Sequence, residues 1–215
     1  ADRVTDVPRS FLREILKVAL EPNMISFAGG LPSRELFPLE ELKAATNKVF
    51  DTEGADALQY ANSEGFLGLR EWVAQRYRDQ QGLDIDPEHV LITNGSQQGL
   101  DLIGKTLLND GDDVVLEAPG YLGAIQAFSL YRAAFRSVRL NNDGIDIPQL
   151  AETLQAYDPK VYYAVPNFQN PSGITYEEEN RHAVAKLIQD TRTFLVEDNP
   201  YGDLRFMGTS KTSFK

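Results

Sequence analysis

The sequence predicts an α/β protein built on a doubly wound, mostly parallel sheet that begins near residue 89. Three observations lead there. From His89 onward, short apolar runs alternate with stretches of helical periodicity, the rhythm of parallel strands joined by crossover helices. The runs are apolar on consecutive residues, as in strands covered on both faces. No internal repeat, low-complexity tract or flexible linker interrupts the alternation.

The elements follow in order. Phe11, Ile15, Leu16 and Ala19 share one helical face, so residues 10–21 read as an amphipathic helix. A second helix is expected from Leu39 to Phe50, entered through Pro38 at its first turn. A third follows Gly65, where Phe66, Leu69, Trp72, Val73, Arg76 and Tyr77 recur at three and four, and Gly82 closes it. Trp72, the methionines and the remaining aromatic positions read as core. Strands are expected at Val90–Thr93, Val114–Ala118, Phe135–Leu140, Val161–Val165 and Phe194–Val196. Helices are expected near Ser96–Leu108, Tyr121–Arg132, Ile147–Tyr157 and Tyr176–Thr191. The tail Gly208–Lys215, rich in Ser, Thr and Lys, reads as unstructured.

Composition removes several classes of function. The 215 residues carry 21 Lys and Arg against 32 Asp and Glu, a net charge of −11. Nucleic-acid binding is disfavoured, because phosphate contacts need clustered cations. Zero cysteines remove disulfides, thiolate metal sites and cysteine nucleophiles together. Two histidines, His89 and His182, leave little for a metal centre or a serine-histidine triad. No apolar run approaches the ~18 residues of a membrane helix, and no basic-then-apolar signal segment opens the chain. The expectation is a soluble, cytoplasmic, metal-independent protein.

Ligands of open parallel sheets bind outside the carboxyl ends of the strands, so the loops there carry the chemistry. The first is Asn94-Gly95-Ser96-Gln97-Gln98-Gly99. Small residues at a helix start expose backbone N–H groups to a phosphate, or else Ser96 simply caps the helix. No Gly-Lys-Ser/Thr follows, so it is not a P-loop, and Ser96 stands one place too early for a nucleophile elbow. At the second loop, Tyr121 either covers a flat aromatic ligand or packs on a neighbour. The third, Pro166-Asn167-Phe168-Gln169-Asn170-Pro171-Ser172-Gly173, is stiff and compatible with a cis bond. Asn170 is there either a fixed amide or a turn former. The fourth ends a buried strand with Glu197-Asp198-Asn199-Pro200-Tyr201. Asp198 needs a partner, which a cationic ligand nitrogen would supply, unless it caps a helix or faces water.

Together, in this order and each after its own strand, the four loops resemble the cofactor site of fold type I pyridoxal-phosphate (PLP) enzymes. Ile25-Ser26-Phe27-Ala28-Gly29-Gly30-Leu31-Pro32, Leu36-Phe37-Pro38, Leu58-Gln59-Tyr60, Glu64-Gly65 and Leu69-Arg70 narrow the resemblance to the 2-aminoadipate and kynurenine aminotransferase branch of class I aminotransferases. It spans nearly the whole chain. It implies that Ser96 and Gln97 hold the cofactor phosphate and that Tyr121 stacks on the pyridine ring. Asn170 and Tyr201 would hydrogen-bond the phenolic oxygen, and Asp198 would pair with the pyridinium nitrogen. Tyr60 would reach the phosphate of a neighbouring subunit, implying a homodimer with shared sites. Gly30 would sit beside the substrate with Asn170, and Arg13 would contact side-chain carboxylates.

The implied activity is transamination between an amino acid (2-aminoadipate, aromatic or another long side chain) and a 2-oxo acid such as 2-oxoglutarate. The alternatives are the effector-sensing domain of a transcription regulator and a PLP-dependent lyase. Such sensors carry a basic winged-helix domain ahead of this part; none is visible in the sequence, so the sensor is the less expected alternative. The resemblance divides the chain into an N-terminal arm and small-domain segment at residues 1–50 and a PLP-binding large domain at 51–215. It also puts the Schiff-base lysine, in a Ser-x-Ser-Lys-like motif, one helix and one strand beyond Asp198. Lys211 and Lys215 come too early for it, so no catalytic residue is expected in this chain. The expected sheet is accordingly incomplete, with strands missing between Val90–Thr93 and Phe194–Val196. More polypeptide is needed to fill the gap before a stable, PLP-competent domain forms.

Overall fold

The computed structural model describes Ile25 and residues 32–214. The helix expected at 10–21, Arg13 and Gly30 lie outside the described residues. The chain forms two compact units that divide between Leu67 and Gly68.

In the first unit, α1 (Leu39–Glu53) follows Pro38 and carries Glu40 and Glu41 in its first turn, where the helix dipole favours anions. Gly54, at φ +58°, closes it by donating its N–H to the Phe50 carbonyl.

The second unit takes in α2 (Leu67–Gln81) from its second residue onward and contains a five-stranded sheet: β1 (Asp113–Ala118), β2 (Ala134–Asn141), β3 (Gly144–Ile145), β4 (Val161–Ala164) and β5 (Phe194–Glu197). The order is β3-β2-β1-β4-β5. All pairings are parallel except the β2–β3 hairpin. From β1 the chain moves outward to β2 and β3, then returns to the other side of β1 as β4. The boundary between β1 and β4 is therefore the topological switch point, where such sheets open a crevice for ligands.

Both faces of the sheet are covered. Val114, Leu116, Val161, Tyr163 and Val165 point to one face, under α3 (Ser96–Leu107) and α4 (Leu122–Ser129). Val115, Val138, Tyr162 and Ala164 point to the other, under α5 (Ile147–Tyr157) and α6 (Glu178–Gln189). β1 and β4 are accordingly buried on successive residues. Each large apolar side chain taken from water there contributes roughly 1.5–3 kcal/mol. Helix α5 starts where the sequence places it: the Asp146 carboxylate accepts from the Gln149 N–H at 3.0 Å, and a proline stands in the first turn.

Some expectations are corrected. Val90–Thr93 is not a strand, because a strand needs a neighbour's backbone groups and no ladder partner stands beside it among the described residues. Among the described residues β5 pairs only with β4 and its Phe194 is largely exposed, in keeping with the incomplete sheet expected from the sequence. Trp72 is 60% exposed rather than core. Helix α2 instead buries Arg70 and Ala74, because the Arg70 guanidinium finds the Pro87 carbonyl at 2.9 Å and so loses little on leaving water. Met207 is likewise exposed. The tail has no regular structure, yet it is tied down. Thr212 bonds to Glu178, Ser213 and Phe214 bond to Glu197, and the Phe214 ring meets Tyr176 edge-on at 5.7 Å. Its hydroxyls serve as carboxylate partners, a use that composition does not distinguish from disorder.

Candidate functional site

The carboxyl ends of β1, β4 and β5 lie side by side, and the loops leaving them enclose a cavity of about 190 Å³. Ser96, Tyr121, Asn170, Asp198 and Tyr201 all line it. Tyr163, Val165 and Pro200 complete the wall.

Each polar group arrives by a local structural cause. Gly95, at φ +85°, is the N-cap of α3 and offers no side-chain bond, so Ser96 is the first helical residue rather than the cap. The N–H groups of that first turn are left for an anion. The Gln97 side chain donates to the Gly123 carbonyl at 3.1 Å, and Gln97 does not line the cavity. Tyr121 stands immediately before α4. A Cβ at Gly123 would lie 2.6 Å from the Tyr121 ring, so glycine there is what lets the ring take this position. Burial, then the charges of Asp198 and Tyr201, push the Tyr121 phenol above its usual value and keep it neutral.

The 166–173 loop is held from beneath by a carboxylate. Glu117, buried near the end of β1, accepts from the Val165 N–H at 2.9 Å, the Tyr176 hydroxyl at 2.8 Å and the Gln169 amide at 2.9 Å. Burial outweighs these bonds and raises its pKa. Gln169 also donates to the Pro119 carbonyl and accepts from Ser172, so it ties the Tyr121 loop to the Asn170 loop. The Ala118–Pro119 and Asn170–Pro171 bonds are cis. The Asn170 amide then lies 3.5 Å from the Tyr201 hydroxyl. Asp198 follows β5, and its N–H donates to the Ala164 carbonyl at 2.9 Å, fixing its backbone against β4. The Tyr163 hydroxyl donates to Asp198 Oδ2 at 2.6 Å.

A carboxylate, a paired amide and phenol, an aromatic cover and an uncapped helix start on one small cavity fit a flat, basic, phosphorylated heteroaromatic ring. Tyr60 lies in the other compact unit and is 99% exposed.

Comparison with known proteins identifies the family. Residues 22–213 match the family described as aminotransferase class I and II. The chain belongs to that family. Aromatic-amino-acid aminotransferase 1 of Thermococcus litoralis is 39% identical over 213 residues, covering 97% of this chain and 51% of that protein. The kynurenine aminotransferase of Pyrococcus horikoshii superposes with a TM-score of 0.91 at 37% identity, over 100% of this chain and 54% of its own. The alpha-aminoadipate aminotransferase of Thermus thermophilus, solved with N-(5'-phosphopyridoxyl)-L-leucine, gives 0.89 at 39% identity, over 100% and 52%. The chain thus spans about half the length of the curated relatives it matches. No helix among the described residues is long and apolar enough to cross a membrane.

Within this aminotransferase frame, sequence reasoning missed Tyr163 and Glu117. Tyr163 reads as one more apolar residue of a buried strand, although a hydroxyl so buried demands a partner. Glu117 was visible as a charge at the end of an apolar run, which is the same kind of signal that singled out Asp198.

Proposed function

We propose that the complete protein is a PLP-dependent aminotransferase that moves an amino group between an amino acid and a 2-oxo acid. The convergence of Ser96, Tyr121, Asn170, Asp198 and Tyr201 on one cavity carries this reading. When bound, pyridoxal phosphate supplies a ring that withdraws electrons from the substrate α-carbon. Asp198 holds a proton on the ring nitrogen by charge pairing. Asn170 and Tyr201 hydrogen-bond the phenolic oxygen, and Tyr121 covers the ring face and excludes water. The backbone N–H groups of Ser96 and Gln97 take the phosphate.

The substrate reading follows relatives that are named for aromatic amino acids, kynurenine and 2-aminoadipate. A long side chain is common to all three. Arg13 would meet its distal carboxylate where one is present, Gly30 would lie beside the substrate, and 2-oxoglutarate would serve as the usual acceptor. Tyr60, exposed on the other unit, is free to reach the phosphate of a second copy in a cytoplasmic homodimer.

Asp198→Ala in the complete protein tests the reading. Asp198 is half-buried, so losing it as the partner of the ring-nitrogen charge is expected to lower transamination by about one order of magnitude or more. Unchanged activity would remove Asp198 from this role. Tight PLP binding with no transamination of any amino acid would favour the sensor domain instead.

A further inference from the structure

We propose that Tyr163 is the positioning residue for Asp198: its hydroxyl fixes one carboxylate oxygen and thereby presents the other to the cofactor ring nitrogen. The inference rests on the PLP reading of the cavity and adds to it a residue that acts through another.

The geometry is specific. Tyr163 sits on β4, in register with Leu116 of β1 and Val196 of β5, so its backbone is paired on both sides. Alternation along the strand sends Tyr163 to the α3/α4 face, whereas Tyr162 points to the opposite face and meets Tyr176. Only the former can reach Asp198. The Tyr163 ring packs edge-on against Phe128 at 6.1 Å, and the residue is 1% exposed. The hydroxyl is therefore delivered by a rigid strand and a packed ring, and it donates to Asp198 Oδ2 at 2.6 Å. No other hydrogen bond reaches the Asp198 carboxylate among the described residues. With Oδ2 held, rotation about the side chain is restrained and Oδ1 keeps one direction.

Two further features suit the role. Burial, reinforced by the bond to Asp198, pushes the phenol well above its usual pKa, so it stays a donor across physiological pH. A hydrogen bond to a carboxylate is also shorter and stronger than one between neutral groups, so it restrains the side chain more firmly. Tyr163 lines the cavity together with Asp198, so both groups face the same ligand space.

The test uses the complete protein, freed of cofactor and titrated with PLP, with ¹⁵N-labelled cofactor to report the ring nitrogen by NMR. Y163F removes one oxygen and keeps the ring packing. It is expected to weaken PLP binding about tenfold, equivalent to ~1.4 kcal/mol, and to move the ring-nitrogen resonance. A merely structural tyrosine would lower the melting temperature and leave that resonance in place. D198N separates the two claims. If D198N weakens binding and moves the resonance while Y163F changes neither, the positioning role is overturned and the PLP reading stands. If neither variant changes either quantity, both fall. Should Y163F fail to fold, 3-fluorotyrosine at position 163 keeps the shape and strengthens the donor. Tighter PLP binding then supports the role, and unchanged binding overturns it.

Discussion

The two walls of the cavity are held in place by different means. On the side of β1 and β4, the loops carrying Tyr121 and Asn170 are joined through Glu117 and Gln169, all beneath the surface. On the side of β5, Asp198 itself is held by Tyr163 and Ala164, but the rest of its loop is tied by outlying contacts. Glu197 accepts from Ser213 Oγ at 2.5 Å and from the Phe214 N–H at 3.1 Å, and Arg76 pairs with the exposed Asp203. Exposed ion pairs contribute ~0–1 kcal/mol, whereas a satisfied buried network is strong and costly to disturb. One wall is thus held by a buried network, and the other, apart from Asp198, is braced by a tail. Arg181 spans both, donating to the Pro166 carbonyl at 2.8 Å and to the Thr212 carbonyl at 2.7 Å.

The largest expected effect breaks the buried wall. Glu117→Ala strands the Val165 N–H and one donor of Gln169 and leaves the Tyr176 hydroxyl with the longer 3.3 Å bond to Tyr162. Each unsatisfied buried group costs about 1–3 kcal/mol, so urea melts of the complete protein should show a loss of ~3 kcal/mol or more. Glu117→Gln keeps one acceptor oxygen and should fall between. A loss below ~1 kcal/mol would put the two walls on the same footing.

A smaller effect is expected at Tyr121. Gly123→Ala places a methyl 2.6 Å from the Tyr121 ring and turns the ring out of place, while the Glu117 network below stays intact. PLP affinity should fall several-fold, with a stability change of about 1 kcal/mol, read by cofactor titration and melting together. Equal losses in both would show that the ring is part of the packing rather than a cover.

The contrast between the walls also explains what the sequence disclosed. β1, β4 and α5 were legible because their signals are local: consecutive apolar residues, an Asp146 cap and a proline in the first turn. The residues that line the cavity followed from the order of four loops. The ties that hold those loops were not legible, because they join residues far apart in sequence. Tyr163 reaches Asp198 across 35 positions, and Tyr176 reaches Glu117 across 59. The exposed face of α2 and the unpaired run at Val90–Thr93 share another cause. Hydrophobicity says that a face is apolar, but not what covers it.

The smallest effect separates the walls by pH, because their acids are shifted in opposite directions from an ordinary value of 4.5. Glu178, at the start of α6, is held low chiefly by the hydroxyl of Thr212, which donates to it at 2.6 Å, and further by the Thr212 N–H. The folded state then releases this proton more readily than the unfolded chain does. The stabilisation is present above pH 4.5 and is lost as pH falls through the lowered value. Glu117 behaves in the opposite sense. Its raised pKa means that the folded state keeps a proton the unfolded chain has lost, so stability declines as pH rises from 4.5 towards the raised value. Urea melts from about pH 3 to about pH 7 on wild type, Thr212→Val and Glu117→Gln resolve the two. Thr212→Val should flatten only the acid limb, because it removes the donor that depresses Glu178. Glu117→Gln should flatten only the limb above pH 4.5. If Thr212→Val alters both limbs alike, the tail and the buried carboxylate respond as one unit, and the division between the walls fails.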